Sequence, residues 1–297
     1  SSIAQNEADL IVTAGCRFSD RGTGNTAKYA KHAKIIHIDI DASELNKNIT
    51  VELGIAGSMK QILAELTAMV PQQYHPEWDA RIQDLVAITK ELETQKDDEL
   101  TPFTALDAVA EAAKNANDDV IVATDVGQHQ MWTAQYYKFR KPRTFITSGG
   151  LGTMGFGLGG AIGACMASGK QTVLITSDGS FGMNLNEMAT AVSQELPITI
   201  VVFDNDVLGM VRQWQTIFYD CHYSQTVLDR KTDFPALAKA FGADGYAVYT
   251  MEDLKKALDA ADKSSGPVLI DCHIGMDEKV LPMIPPGRSI KDMIVEG

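Results

Sequence analysis

The sequence predicts an α/β protein: a doubly wound parallel sheet preceded by part of a smaller Rossmann-like block. Short apolar runs rich in β-branched residues, at 172–176 and 198–203, have the length of strands buried on both faces. Stretches with helical periodicity separate them, such as 184–194 with Leu185, Met188, Ala189 and Val192 on one face, and this alternation is the pattern of a parallel sheet. The runs also stop in oxygen-bearing residues, Ser177-Asp178-Gly179-Ser180 and Asp204-Asn205-Asp206, where open α/β sheets bind ligands.

The first block spans 1–70. Strands are expected at 10–14 and 34–40, the second ending in Asp39 and Asp41, with a helix at 58–70 that places Ile62, Leu63, Leu66 and Met69 on one side. The loop between the strands carries Arg17, Asp20 and Arg21. An acidic residue at a strand end is what a nucleotide site uses to hold a ribose, although no GxGxxG precedes this one. A linker follows at 71–99, opening at Pro71 and carrying a charged helix at 77–96 with Trp78, Ile82, Leu85, Ile88 and Leu92 at helical spacing.

The second domain is expected at 100–280. Pro102 suits a first helical turn ahead of a helix at 103–113. A buried strand at 120–124 runs into the polar cluster Asp125 to Trp132, which includes Gln128 and His129. Residues 147–163 are glycine-rich: Gly149, Gly150 and Gly152 suit a loop whose backbone approaches a ligand, while the four-residue spacing of Gly155, Gly159 and Gly163 suits a helix face packed close to another backbone. Further elements are expected at 234–241 (helix), 245–249 (strand), 251–262 (helix) and 268–273 (strand). The Pro- and Gly-rich tail, 281–297, reads as a flexible end.

The chemistry suggested at the centre is a hard cation holding a diphosphate. Asp178 offers a carboxylate, Asn205 an amide oxygen 27 positions on, and a loop carbonyl near Val207 a third oxygen, a set suited to Mg²⁺. Gly179 lets the backbone approach a phosphate, and the amides of Gly179 and Ser180 are expected to point outward ahead of a helix. Met210 and Trp214, one helical turn apart, suggest a small pocket for an acyl acceptor.

Composition excludes several classes. A net charge of −13 argues against nucleic acid and anionic membrane surfaces. No apolar run approaches the ~20 residues of a membrane span. The four cysteines show no CxxC spacing and the six histidines no HExxH, so neither disulfides nor zinc is expected. Ser1-Ser2-Ile3 leads straight into an acidic stretch, and the expectation is a cytoplasmic chain that is a piece of something longer.

These motifs resemble acetohydroxyacid synthase (acetolactate synthase), catalytic large subunit. The central stretch resembles the thiamine diphosphate motif G-D-G-S…N-N, with Ser177 in place of the first glycine and Asp204 in place of the first asparagine; V-G-Q-H-Q-M-W at 126–132 and G-M-V-R-Q-W-Q at 209–215 are similar to the same family, and G-x-R-F-x-D-R-x-T-G with I-H-I-D-I-D resembles the second half of its FAD-binding central domain. The resemblance implies a doubly wound thiamine diphosphate-binding domain in which Asp178, Asn205 and the Val207 carbonyl hold Mg²⁺, and Gln128, His129, Gly179 and Ser180 line the diphosphate. It implies that the Gly152 carbonyl accepts the cofactor's 4′-amino group, that Met154 lies under the thiazolium, and that Trp214 and Met210 shape the acceptor pocket. Arg17 and Asp39 fall on flavin-site positions, while Ser58 stands where the family usually has aspartate. The implied reaction decarboxylates pyruvate and condenses the two-carbon unit with a second pyruvate or 2-ketobutyrate, in branched-chain amino acid biosynthesis. The implied partners are a second copy in a homodimer or homotetramer, a regulatory small subunit, and an N-terminal pyrimidine-binding domain that supplies the catalytic glutamate, so this chain alone is expected to turn over little or nothing.

Three alternatives stay open: another thiamine diphosphate enzyme, such as pyruvate oxidase or a flavin-free catabolic acetolactate synthase; a non-catalytic binding module on the same fold; and a nicotinamide dehydrogenase, which the missing GxGxxG disfavours.

Overall fold

A computed structural model describes residues 1–92, 99–115 and 119–295, and the last residues of the helix expected at 77–96 lie outside these. The described residues divide into two compact units, 1–94 with 281–297, and 95–280.

The first unit contains α1 (Ser2–Glu7), β1 (Leu10–Ala14), α2 (Asp20–Thr23), β2 (Lys34–Asp39), β3 (Leu53–Ala56), α3 (Met59–Met69) and α4 (Pro76–Leu92). Its sheet is parallel, ordered β1-β2-β3. β3 was not expected, because Leu53-Gly54-Ile55-Ala56 is too short to show a period. A small core of Phe18, Tyr29, Ala30 and Ile35 is formed by the β1–β2 connection and β2. The tail runs with this unit: the Asn25 amide donates to the Arg288 carbonyl at 2.9 Å.

The second unit contains α5 (Pro102–Asn115), β4 (Ile121–Thr124), α6 (Gln128–Tyr136), β5 (Phe145–Ile146), α7 (Phe156–Ser168), β6 (Thr172–Ser177), α8 (Asp178–Phe181), α9 (Met188–Ser193), β7 (Ile198–Asp204), α10 (Gly209–Phe218), α11 (Phe234–Phe241), β8 (Asp244–Val248), α12 (Met251–Asp262) and β9 (Val268–His273). The strands form one parallel sheet in the order β5-β4-β6-β7-β9-β8. All of β7 is buried and so is nearly all of β6, as their unbroken apolar runs require of strands covered on both faces. One core cluster packs α5, α6 and α12 on one side of the sheet, and a second packs α7, α9 and α11 on the other. The result is the doubly wound architecture the sequence predicts.

Local chemistry sets the element ends. Asp233 caps α11 by accepting the Ala236 amide, and Thr250 caps α12 by accepting that of Asp253. Gly242 closes α11 at φ +92°, a left-handed conformation suited to glycine. Two details differ from expectation. The segment 184–194 is a 3₁₀ turn, Leu185–Glu187, followed by the short α9, rather than one helix. In α7, Gly159 and Gly163 face open space, and the close approach is at Gly157, where a Cβ would stand 2.8 Å from Asp125 Cβ and from Leu174 Cδ1.

Chain order reverses between β4 and β6: β4 connects outward to β5, while β6 leads the other way to β7. The carboxyl ends of β4, β6 and β7 therefore open onto the crevice where such sheets bind ligands.

Candidate active site at the carboxyl ends of three strands

Two neighbouring recesses occupy this end of the second unit. The first is a mainly apolar cleft of about 110 Å³. Gln128 and His129 from α6 line it, with Met154, Asn205, Val207 and Met210. The second is an acidic cavity of about 480 Å³ whose lining includes Asp178, Asp204, Asp206, Asp271 and His273. Of the sequence-predicted residues, Asn205 and Val207 border the cleft and Asp178 borders the adjoining cavity.

Asp178 opens α8 directly after β6. Only 2 % of the residue is exposed, and neither carboxylate oxygen has a hydrogen-bond partner among the described residues. Carboxylate oxygens of Asp178, Asp204 and Asp206 lie within 4.8 Å of one another. Desolvation, then the neighbouring Asp204, push the Asp178 carboxyl up to about 7, against the pull of the Gly179 amide and of Arg230. Burial raises Asp204 as well. Facing carboxyls of this kind are held together by a shared proton or a shared cation. Asp204, the departure from asparagine noted above, therefore adds charge to the group that includes Asp178.

The Ser180 amide is not free. It meets the Ser177 hydroxyl at 3.5 Å in an N-cap, and Ser180 Oγ donates to the Val126 carbonyl at 2.7 Å, joining the ends of β6 and β4. Gly179 is buried with Leu208 and Met154 against it, so a Cβ there would stand 3.2 Å from Leu208 Cδ2 and 4.0 Å from Met154 Cε.

On the β4 side, Asp125 organises the glycine-rich loop. Its carboxylate accepts the amides of Val126 (2.9 Å), Gly155 (2.8 Å) and Gly157 (3.2 Å). Gly152 sits in that loop at φ +63°, donating its amide to the Ser148 carbonyl. The fully buried His129 imidazole is held neutral by desolvation, down to about 3, and its Nε2 has no partner among the described residues. Gln128 Oε1 likewise has none. Orphaned acceptors at a cleft wall are the signature of a polar ligand rather than of a filled core.

Sequence reasoning missed Gln213. It is 2 % exposed, accepts from the Gln128 amide and from the Val280 amide, and donates to the Val280 carbonyl. The motif at 209–215 includes it, but no periodicity or spacing gave it a role. Trp214 lies outside the cleft lining, edge-on to Phe218 at 5.2 Å, because only the first turn of α10, Gly209 to Val211, borders the cleft. In the first unit, Arg17 is exposed and Asp39 is buried, with Oδ1 accepting the Asp41 amide and Oδ2 at 3.6 Å from His37 Nε2.

Comparison with known proteins identifies the architecture. Residues 125–272 match the family described as thiamine pyrophosphate enzyme, C-terminal TPP binding domain, and residues 1–66 match thiamine pyrophosphate enzyme, central domain. The chain is 40 % identical over 291 residues to acetolactate synthase isozyme 1 large subunit of Escherichia coli (98 % of this chain, 51 % of the relative). It is 38 % identical over 301 residues to a probable acetolactate synthase large subunit of Methanocaldococcus jannaschii (99 % and 51 %), and 39 % identical over 315 residues to the chloroplastic acetolactate synthase 2 of Nicotiana tabacum (100 % and 46 %). The chain spans about half the length of these relatives. No helix among the described residues is long and apolar enough to cross a membrane. With both domain matches falling on its two blocks in order, the chain belongs to the thiamine pyrophosphate enzymes and carries their central and C-terminal domains.

Proposed function

We propose that this chain supplies the metal- and diphosphate-binding half of the active site of an acetolactate synthase acting on pyruvate, with pyruvate or 2-ketobutyrate as acceptor. The observation that carries the reading is Asp178, a buried carboxylate with both oxygens unpartnered, directly after β6 and next to the strand that ends in Asp204, with Asn205 following. A buried charge in that state calls for a cation. The Asp178 carboxylate, the Asn205 amide oxygen and the Val207 carbonyl would hold Mg²⁺ with hard oxygen donors, and the ion would supply positive charge for a diphosphate.

The chain's own residues do the rest. Gln128 and His129 offer polar atoms at the cleft wall, and the neutral imidazole adds no charge there. Gly179 and Ser180 keep the backbone close to the diphosphate. Met154 and Met210 form apolar walls that exclude water from the reacting end, and the Gly152 carbonyl in the exposed loop accepts the cofactor's amino group. When bound, thiamine diphosphate supplies the electron sink for decarboxylating a 2-keto acid.

No carboxylate lines the apolar cleft. The glutamate that the resemblance implies for activating the cofactor is assigned to an assembly of two large subunits, with a small regulatory subunit as a further partner. The chain alone forms little or no acetolactate from pyruvate. Flavin stays outside the proposal, since both Asp39 oxygens face groups of their own unit, the Asp41 amide and His37.

The test is thermal unfolding of the purified chain with Mg²⁺, with thiamine diphosphate, and with both. A ligand that binds only the folded state adds about 2.7 kcal/mol at roughly 100 times its dissociation constant. A rise in unfolding temperature that needs both ligands supports the reading. No rise with both, in a chain that unfolds cooperatively, contradicts it.

A further inference from the structure

The acidic cavity holds a second group of donors that the thiamine reading does not use. Asp271 and His273 are two residues apart on β9 and so project to the same face. Asp204, at the end of β7, is the register partner of His273 across the parallel pair. The topology thus brings two carboxylates and one imidazole together, with ligand atoms within 4.8 Å of one another.

Asp271 makes this more than an acidic cluster. It is 3 % exposed, it lines the cavity, and its Oδ1 has no hydrogen-bond partner among the described residues. Its Oδ2 lies 3.5 Å from His273 Nε2, too long for a strong hydrogen bond. The imidazole is held in place: its ring stacks on Tyr249 at 4.4 Å with an interplanar angle of 3°. A fixed imidazole and a buried carboxylate with an idle oxygen, beside a cavity with room for water, are the features of a preformed cation site.

We infer that Asp204, Asp271 and His273 bind a second divalent cation, a transition-metal ion such as Mn²⁺ or Zn²⁺, on the β9 side of Asp204. The imidazole sets the preference. Mg²⁺ seeks an all-oxygen octahedron, whereas a mixed carboxylate–imidazole set suits first-row transition ions. The ion would tie the ends of β7 and β9 together and offset the negative charge next to Asp178. Its binding needs no diphosphate and no residue of the apolar cleft.

The probe is Mn²⁺ alone, titrated into the full chain without thiamine diphosphate and followed by the electron paramagnetic resonance signal of the free ion. The inference predicts one bound Mn²⁺, weakened at least about tenfold in His273→Ala and unchanged in Asn205→Ala. His273 is about one-third exposed, so His273→Ala is expected to fold, as its unfolding temperature would report. Tyr249→Leu keeps all three donors and removes only the stacking, and it should weaken Mn²⁺ by less than His273→Ala. The inference is overturned if Mn²⁺ fails to bind without diphosphate, or binds equally well to His273→Ala, or is lost in Asn205→Ala. It stands apart from the thiamine reading: the shift given by Mg²⁺ with thiamine diphosphate should persist in His273→Ala.

Discussion

Gln128 on α6 donates its side-chain amide to Gln213 Oε1 on α10 at 2.9 Å, with both residues buried. The same Gln128 nitrogen reaches the Glu278 carbonyl at 2.7 Å, Trp132 Nε1 reaches that of Lys279 at 3.2 Å, and Gln213 pairs with both backbone groups of Val280. One buried amide pair thus fixes two cleft helices to the strap at 278–280.

Replacing Gln213 with leucine strips partners from the buried Val280 amide and the Gln128 side chain at once. Each unsatisfied group costs about 1–3 kcal/mol. Gln213→Leu should therefore lower unfolding stability by about 2–4 kcal/mol in urea titration, although leucine fills a similar volume.

Gly209 has no room for a side chain. An added Cβ would press on the Gln128 amide and stand 3.0 Å from Asn205 Nδ2. Gly209→Ala should cost about 1–3 kcal/mol of stability. It should also displace Gln128 and Asn205 together, so that the joint Mg²⁺ and thiamine diphosphate shift disappears while cooperative unfolding remains.

The Asp125 carboxylate holds the glycine-rich loop through three amides. Asp125→Ala should leave those amides unpaired and destabilise the chain by about 2–4 kcal/mol, and amide exchange at Gly155 and Gly157 should accelerate. Gly157→Ala, forced into Asp125 and Leu174, should be comparably harmful.

Stability of the metal-free chain should fall toward both acid and alkali. His129 is depressed to about 3 in the fold, so its contribution is complete above its unfolded value of about 6.5 and is lost as pH falls toward 3. Asp178 is raised to about 7, so its contribution is complete below its unfolded value of about 3.9 and is lost as pH rises through 7. His129→Asn should flatten the acid limb of a stability–pH curve, and Asp178→Asn should shrink the alkaline limb, leaving the part due to Asp271, which burial raises to about 8. Saturating Mg²⁺ should restore stability above pH 7 in the unaltered chain only.

The sheet was legible because β6 and β7 are nearly continuous apolar runs and α11 and α12 carry strong caps. β3 and β5 were not, since four and two residues show no period and pairing with a neighbour makes them strands. The motif at Asp178 and Asn205 could be read from spacing, but not the gathering of the Asp178, Asp204 and Asp206 carboxylates, which depends on how the chain turns beyond β6 and β7. Asp271 and His273 alternate inside an ordinary strand sequence. Only the register of β7 against β9 brings Asp204 to them.

The most direct test of the central claim is isothermal titration of thiamine diphosphate into the chain with and without Mg²⁺, repeated with Asp178→Ala. The account predicts binding that requires Mg²⁺ and is lost in Asp178→Ala while the variant remains folded. Metal-independent binding, or undiminished binding by Asp178→Ala, would contradict it.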